Sequence, residues 1–184
     1  MDKDRKFYKN TYHHLYNRGV NKEQIYFDRD SYLYFLKRLG HYKEKYNIQL
    51  LAYCLMPNHF HLFVKQLTHE LKISEFISSL LNSYVKSINK KYGRSGTLFE
   101  SKIKSKIITD EHYFIWVIKY IIENPVKAGL AEKVSDWEFS NARDLLNLRD
   151  GKLTDINEVA SFFQSERQMR NFLSDTNIKV IYKF

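Results

Sequence analysis

Residues 48–66 read IQLLAYCLMPNHFHLFVKQ and contain the pattern that decides the fold. The first part, residues 48–56, is a mostly apolar run, and residues 59–65 form a second strand-like segment. Only Pro57 and Asn58 separate the two, which is a short turn signal of the kind that joins neighbouring strands. The stretch predicts a β-hairpin with two of the chain's seven histidines at the start of its second strand.

The segments on either side of this hairpin alternate between strand and helix patterns. Apolar residues recur every three to four positions from Ser74, which is typical of a helix, and Gly93 and Gly96 end that pattern. We expect the last helix to end close to Asn124, because Pro125 disfavours helical geometry in the residue before it. The other elements are predicted as a strand at 11–17, a helix at 31–46 with Asp30 as its N-cap, a strand within 99–108 and a helix from 109 or 110.

The resulting order, β-α-β-β-α-β-α, indicates an α+β protein with a ferredoxin-like antiparallel sheet. Two helices would lie on one face of the sheet and the third on the other. We expect residues 1–150 to form one domain. Residues 151–184 would be a helical C-terminal extension packed on the same domain.

Composition restricts the class of protein. The 184 residues include 30 Lys and Arg against 21 Asp and Glu, a formal charge of +9, which favours polyanionic partners, nucleic acid first and anionic membrane second. A lysine-rich proteome would give the same balance, so charge alone is a weak argument. The single cysteine, Cys54, allows no disulfide framework within the chain. No apolar run approaches the ~20 residues of a membrane span, so we expect a cytoplasmic protein with no membrane partner.

His59 and His61 form the first candidate site. Residues two apart in a strand project from the same face, so both imidazoles would reach one cation. Two incidental or hydrogen-bonded histidines are the plainer reading of such a pair. On the last helix, Tyr120 and Asn124 are four residues apart and border the apolar arc, while Lys119 and Glu123 face away from it. The Asn124 amide oxygen would be placed to complete the coordination of a cation held by the histidines.

These motifs resemble a known family. MPNHFHLFV (residues 56–64), followed by YIIENPVKAGL (residues 120–130), is similar to the single-tyrosine transposases of the HUH superfamily, where U is a hydrophobic residue. YHHLYNRGVNKEQIYFDRDSYLYFL, GRSGTLFESKIKS and SDWEFSNARDLL resemble the branch of REP-associated tyrosine transposases. The likeness covers residues 12–146, so that residues 1–150 would be an HUH-type transposase domain.

The resemblance implies a reaction and a site. Tyr120 matches the nucleophile, which would cleave and rejoin single-stranded DNA next to a hairpin through a 5′-phosphotyrosine. His59 and His61, with Asn124 as a third ligand, would bind a divalent cation. Magnesium or manganese is usual in the family, and zinc would also suit two imidazoles. Lys102 stands where many relatives carry arginine and loses that residue's bidentate fork for phosphate.

A basic segment is the candidate DNA-binding surface. Its residues are interleaved with Tyr84, Tyr92 and Phe99, which we expect to stack on unpaired bases. A solvated lysine face is the alternative. The seven basic residues between positions 82 and 106 are Lys86, Lys90, Lys91, Arg94, Lys102, Lys104 and Lys106.

Three functions therefore stay open from sequence. The leading one is a metal-dependent tyrosine transposase. The second is a non-catalytic protein that binds single-stranded nucleic acid on the same fold. The third is a phosphodiesterase in which a metal-bound water replaces Tyr120 as nucleophile. A monomer and a homodimer are both compatible with the sequence.

Overall fold

The computed structural model describes residues 9–68 and 72–175. Its four strands form one antiparallel sheet in the order β2-β3-β1-β4. This arrangement confirms the predicted ferredoxin-like topology. The last nine residues of the predicted C-terminal extension lie outside the described ranges. The strands are β1 at Tyr12–Arg18, β2 at Ile48–Met56, β3 at His59–Gln66 and β4 at Lys104–Ile108.

Helices cover both faces of the sheet, as predicted. Helices α1 (Arg29–Lys45) and α2 (Lys72–Lys91) pack on one face, and α3 (Glu111–Lys127) packs on the other. The strands alternate their side chains between these two cores, because successive residues of a strand point to opposite faces. No helix in the described part of the chain is long and apolar enough to cross a bilayer.

Helix α1 begins earlier than predicted. Its N-cap is Asp28, not Asp30: the Asp28 carboxylate accepts a hydrogen bond from the Ser31 amide at 2.7 Å. The Ser31 hydroxyl accepts in return from the Asp28 amide at 3.1 Å. A serine therefore completes a capping box in which Glu or Gln is more usual, which explains why the sequence signal was read two residues too late.

Helix α3 does not end at Asn124. It continues through Pro125 to Lys127, so the predicted end was wrong. Proline removes one backbone donor, and the Asn124 side chain supplies another: its Nδ2 donates to the Tyr120 carbonyl at 2.8 Å and the Ile121 carbonyl at 3.4 Å. Gly129 follows the C-cap residue Ala128, and its φ of 68° permits the left-handed turn after the helix end.

Within the described residues, three short α-helices follow α3 and complete the cover of the sheet. Asn141, just before the first of them, bonds to the edge of β2, its side chain accepting from the Tyr53 amide at 3.0 Å and donating to the Leu51 carbonyl at 3.1 Å. The Asp155 amide donates to the Leu50 carbonyl at 2.8 Å. These contacts satisfy an edge strand that would otherwise invite pairing with another chain. The helices are α4 at Ala142–Leu145, α5 at Ile156–Ala160 and α6 at Glu166–Ser174.

The polar side of α3 is covered by α6. Lys119 and Glu123, expected to face away from the core, are 0% and 5% exposed. The Lys119 ammonium lies 3.0 Å from the Glu123 carboxylate and donates to the carbonyls of Phe172 at 2.8 Å and Asp175 at 2.6 Å. A charged pair on a helix usually indicates a solvent-exposed face, but residues more than fifty positions later in the chain bury the Lys119–Glu123 pair. The described part of the extension therefore packs directly on α3, while the division at residue 150 stays a prediction.

Candidate active site

The hairpin and α3 bring the predicted site residues together. His59 and His61 project from β3 toward α3, with ring centroids 5.2 Å apart and planes at 89°. The Tyr120 ring approaches from α3, 5.5 Å from the His61 ring and at 83° to it. The Tyr120 ring therefore lies beside that of His61, and the three side chains line one cavity, as the sequence pattern predicts.

Each histidine is held by a hydrogen bond at its Nδ1. His59 Nδ1 lies 2.7 Å from the Asn58 amide oxygen, which can only accept, so Nδ1 donates and Nε2 keeps its lone pair. His61 Nδ1 lies 2.9 Å from Nε2 of His14, a residue of β1. Ligating histidines in metal sites are commonly oriented in this way by a partner on the other ring nitrogen. His59 Nε2 thus remains for a ligand, and so does His61 Nε2 in the tautomer in which His61 Nδ1 donates to His14.

The environment keeps both histidines neutral. Burial lowers the pKa of His59 below its ordinary value, with the charge of Arg18 acting in the same direction and a hydrogen bond to Asn124 opposing it. The pKa of His61 lies well below its ordinary value because of burial and of the neighbouring His14 and His59. Neutral imidazole is the form that binds metal, so the ligand-competent state is present at pH 7.

Asn124 lies next to two other members of the site. Its Nδ2 donates to two helix carbonyls, and its side chain influences the pKa of both the His59 imidazole and the Tyr120 phenol. With Nδ2 turned toward the helix, the amide oxygen is the atom left for a cation. The oxygen and the lone pair of His59 Nε2 are both acceptors, which a shared cation would satisfy.

Tyr120 is half-buried and is not activated by its surroundings. Burial raises the pKa of its phenol above 10, and the hydrogen bond with Asn124 opposes that rise only in part. The ammonium of Lys127, about two helical turns further along α3, lies 5.4 Å from the centroid of the Tyr120 ring. The protonated phenol therefore needs a further positive charge close to its target before it becomes a good nucleophile at neutral pH.

An open cavity of about 320 Å³ joins these groups to solvent. Sequence reasoning missed three of the residues around it or behind it, namely Tyr16, His14 and Asn58. Tyr16 faces the cavity because it pairs with His61 across the β1–β3 ladder. The strand alternation of β1 puts Tyr16 and His14 on one face, but their meeting with His61 depends on the register between strands. The cavity is lined by Tyr16, Asn17, Arg18, Asn58, His59, Phe60, His61, Glu100, Lys104 and Tyr120.

The donor set fits a labile divalent cation. Within residues 9–68 and 72–175, no cluster of three His, Cys, Asp or Glu side chains is able to hold a metal. Glu100, at the cavity wall, is engaged by Arg18 at 3.0 Å. The site therefore offers two imidazoles and one amide oxygen, which leaves room in the coordination shell for substrate oxygen and water, as in catalytic metal sites.

Comparison with known proteins identifies the family to which this fold and site belong. The family model described as "Transposase IS200 like" matches residues 7–124, well over half of the chain. The chain belongs to this family. The resemblance seen in the HUH and tyrosine motifs is thereby confirmed.

Two relatives of the IS200-like transposase are informative. A Haemophilus influenzae protein assigned as a REP-associated tyrosine transposase is 28% identical over 108 residues, which cover 53% of this chain and 61% of the relative. This chain thus spans less than two thirds of that protein's length. A solved structure of a REP-associated tyrosine transposase bound to a REP hairpin superposes with a TM-score of 0.68 at 18% identity, covering 84% of this chain and 94% of the other. It shows that the two proteins share a fold.

The predicted DNA-contacting residues of this IS200-like transposase divide between the two faces of the sheet. Lys104 and Lys106 lie on the α3 face: the Lys104 ammonium is 5.9 Å from the Tyr16 ring centroid, and Lys106 donates to the Tyr113 hydroxyl at 2.6 Å. Only Lys104 of the seven borders the candidate site. The five residues other than Lys104 and Lys106 lie along α2 or in the segment after it: Lys86, Lys90, Lys91, Arg94 and Lys102.

Two of the predicted base-stacking aromatics are not available. Tyr84 is 0% exposed and donates to the Ile25 carbonyl at 2.6 Å, and Phe99 is buried in the same core. Tyr84 belongs to the apolar row of α2, so its helical spacing carried the correct signal. Tyr92 is half-buried against Phe27, with ring centroids 4.8 Å apart. Stacking by Tyr84 and Phe99 was therefore a wrong prediction.

Proposed function

We propose that this IS200-like transposase cleaves and rejoins single-stranded DNA through Tyr120. The observation that carries the proposal is the meeting of the Tyr120 phenol with the His59–His61 pair at an open cavity. The histidines come from β3 and the phenol from α3, and a purely structural role for the histidines would not require a phenol and an amide beside them. The H. influenzae relative, assigned to the REP-associated tyrosine transposases, supports this chemistry.

In the proposed reaction, the Tyr120 oxygen attacks the scissile phosphorus and the 3′ oxygen leaves. The phenol loses its proton, the 3′ oxygen gains one, and a 5′-phosphotyrosyl ester remains on the protein. This ester keeps the bond energy for rejoining to another 3′ end, which hydrolysis would release. A divalent cation, Mg²⁺ or Mn²⁺, would polarise a non-bridging phosphate oxygen.

The residues of this chain have distinct roles in that reaction. His59, His61 and Asn124 would hold the cation, with Asn58 and His14 fixing the two imidazole rings. The substrate would be a single strand next to a short hairpin, by analogy with the relative whose solved structure contains a REP hairpin. Lys104, at the cavity wall, would contact a phosphate of that strand.

The test is formation of a covalent adduct. The full chain is incubated with Mn²⁺ and single-stranded oligonucleotides that carry hairpins, and protein–DNA species that survive SDS are mapped by peptide mass. We expect an adduct at Tyr120 that is abolished in Tyr120→Phe and strongly reduced in His59→Ala. Tyr16→Phe is the matched variant, because it removes the other phenol of the cavity and should still give an adduct at Tyr120.

The other functions predict different outcomes. Retention of DNA with no adduct under any of these conditions would favour a binding protein. Strand cleavage that persists in Tyr120→Phe would favour attack by water. An adduct mapped to Tyr16 would overturn the assignment of the nucleophile while leaving strand transfer in place.

A further inference from the structure

A second cavity adjoins the candidate site. It is a groove of about 720 Å³ between α2 and residues 97–103, on the α2 side of the sheet. Asn17 and Glu100 line both this groove and the site cavity, so the two adjoin at the end of β1. The β1 residue next to Asn17 is Arg18, which pairs with His59 in the ladder. The groove thus begins about one strand away from the histidines.

The floor of the groove is apolar. Ile77, Leu81 and Val85 follow one another at four-residue intervals and form a row along α2. Leu81 and Val85 are only half-buried, although the helix needs just one apolar stripe to pack on the sheet. Ile103 closes the floor from the other side. Ile77 belongs to the core, whereas Leu81, Val85 and Ile103 pack against it and leave part of their side chains open to the groove.

The rim of the groove is polar and becomes basic along its length. Ser74, Ser78 and Asn82 are exposed and form the next i, i+4 row of α2. The same row continues, beyond the groove, with Lys86 and Lys90, which are also exposed. Lys102 stands on the opposite rim. Hydroxyls and amides thus border the apolar floor, and ammonium groups extend one wall.

Hydrogen bonds link the residues at the junction between the two cavities. The Asn17 side chain, 4% exposed, donates to the Ser101 carbonyl at 2.9 Å and accepts from the Arg18 amide at 2.9 Å. The Glu100 carboxylate accepts two hydrogen bonds from the Arg18 NH2 nitrogen at 3.0 and 3.2 Å. A DNA strand that leaves the histidines would therefore pass Asn17 and Glu100 before it reaches the groove.

We propose that this groove binds unpaired nucleotides that adjoin the scissile phosphate on the same DNA strand. The inference rests on the proposed function of the neighbouring site. A nucleobase has apolar faces and hydrogen-bonding edges, which match an apolar floor bordered by hydroxyl and amide groups. The phosphates between the bases match Lys86, Lys90 and Lys102. In duplex DNA the faces of the bases are stacked inside the helix, so the groove would select single strands.

The test uses fluorescein-labelled oligothymidylate of 20 nucleotides as the probe, without added metal, and measures anisotropy with the full chain. Leu81→Glu places a carboxylate on the groove floor at a half-exposed position, where the charge can reach water and the fold should survive. We expect it to weaken binding at least tenfold. Leu33→Glu is the matched control, since Leu33 is 40% exposed on the outer side of α1 and should change binding less than twofold.

A second measurement locates the strand. Oligothymidylate with 4-thiothymidine is cross-linked by light, and the modified peptides are identified. Cross-links within residues 74–85 or 97–103 are expected. Equal binding by Leu81→Glu and Leu33→Glu, or cross-links confined to other peptides, would overturn the proposal.

Two further outcomes are distinguishable. A blunt 12-base-pair duplex that competes as well as oligothymidylate would exclude selection of single strands and overturn the groove's assignment. A Leu81→Glu protein whose mass by light scattering falls from dimer to monomer, with binding unchanged, would make the groove an interface between copies.

Because binding is measured without metal, a wild-type adduct at Tyr120 together with unchanged binding by Leu81→Glu would refute the groove and retain the proposed reaction. The converse result would refute the reaction and retain the groove.

Discussion

Replacing His14 by phenylalanine tests whether the histidine pair is a metal site. His14 is 1% exposed and its Nε2 lies 2.9 Å from Nδ1 of His61. Phenylalanine keeps the ring and its packing but removes the nitrogen. His13 offers a matched control in the same strand: it is 2% exposed, lies on the opposite face, and bonds to the Thr11 hydroxyl at 2.9 Å. His13→Phe should therefore cost similar stability without touching the site.

The magnitude follows from the hydrogen bond that is lost. In His14→Phe the His61 Nδ1 loses its hydrogen-bond partner, and an unsatisfied buried polar group costs about 1–3 kcal/mol. The ring then either bears that cost while it binds the cation or turns away from it. Loss of such an orienting partner typically weakens metal binding by about 10–100-fold, or roughly 1.4–2.7 kcal/mol.

The assay combines Mn²⁺ titration calorimetry at pH 7.5 with the rate of adduct formation as a function of Mn²⁺ concentration. We expect His14→Phe to raise the half-saturating Mn²⁺ concentration about 10–100-fold and to change the rate at saturation much less. His13→Phe should match the wild type in both. Equal half-saturation in the two variants, or a His14→Phe defect that no Mn²⁺ concentration relieves, would refute the orienting role.

Three further predictions concern the stability of the fold. Lys119→Met should lower the free energy of unfolding in urea by about 3 kcal/mol, because the buried Glu123 carboxylate then pairs with Lys127 alone. Adding Glu123→Leu should restore most of the lost stability, and similar stability of the single and double variants would contradict this explanation. Burial lowers the pKa of His13 to about 4, so the unfolded chain binds this proton from pH 6.5 and the folded one only near pH 4. The free energy of unfolding should decrease as the pH is lowered from 6.5 to about 4, by about 1.4 kcal/mol per pH unit from this residue. Urea unfolding measured at several pH values should show a weaker dependence of this free energy on pH in His13→Phe. Truncation after Asp150 removes the buried side chains of Val159, Met169 and Leu173, whose burial contributes roughly 5–9 kcal/mol to the free energy of unfolding. Thermal melting followed by circular dichroism should therefore show no cooperative transition. A sharp transition would mean that the shorter chain folds alone.

Local patterns in the sequence were sufficient for the sheet and for the central site residues. The hairpin was identified from its turn and its two strand-like runs, and strand periodicity correctly placed His59 and His61 on one face. The four-residue spacing of Tyr120 and Asn124 put both on the side of α3 that meets the sheet. All of these inferences depend on geometry within a single element.

What the sequence did not reveal depends on contacts between distant segments. His14 orients His61 only because of the β1–β3 register, which no local pattern determines. The burial of Lys119 depends on Phe172 and Asp175, more than fifty residues later. The reading of Tyr84 failed differently: lysines around it suggested a DNA surface, although its helical spacing already placed it in the core.

The end of α3 shows how one structural requirement orients the candidate ligand. Pro125 takes a backbone donor out of the helix, and the Asn124 amide nitrogen replaces it by bonding the Tyr120 and Ile121 carbonyls. Once the nitrogen is committed to the helix, the amide oxygen must point outward, and outward from this position lies His59. The same bond also ties the backbone of Tyr120 to the residue that contacts its phenol. Tyr120, Asn124 and Pro125 therefore act as one unit, in which repairing the helix fixes the direction of the oxygen that would bind the cation.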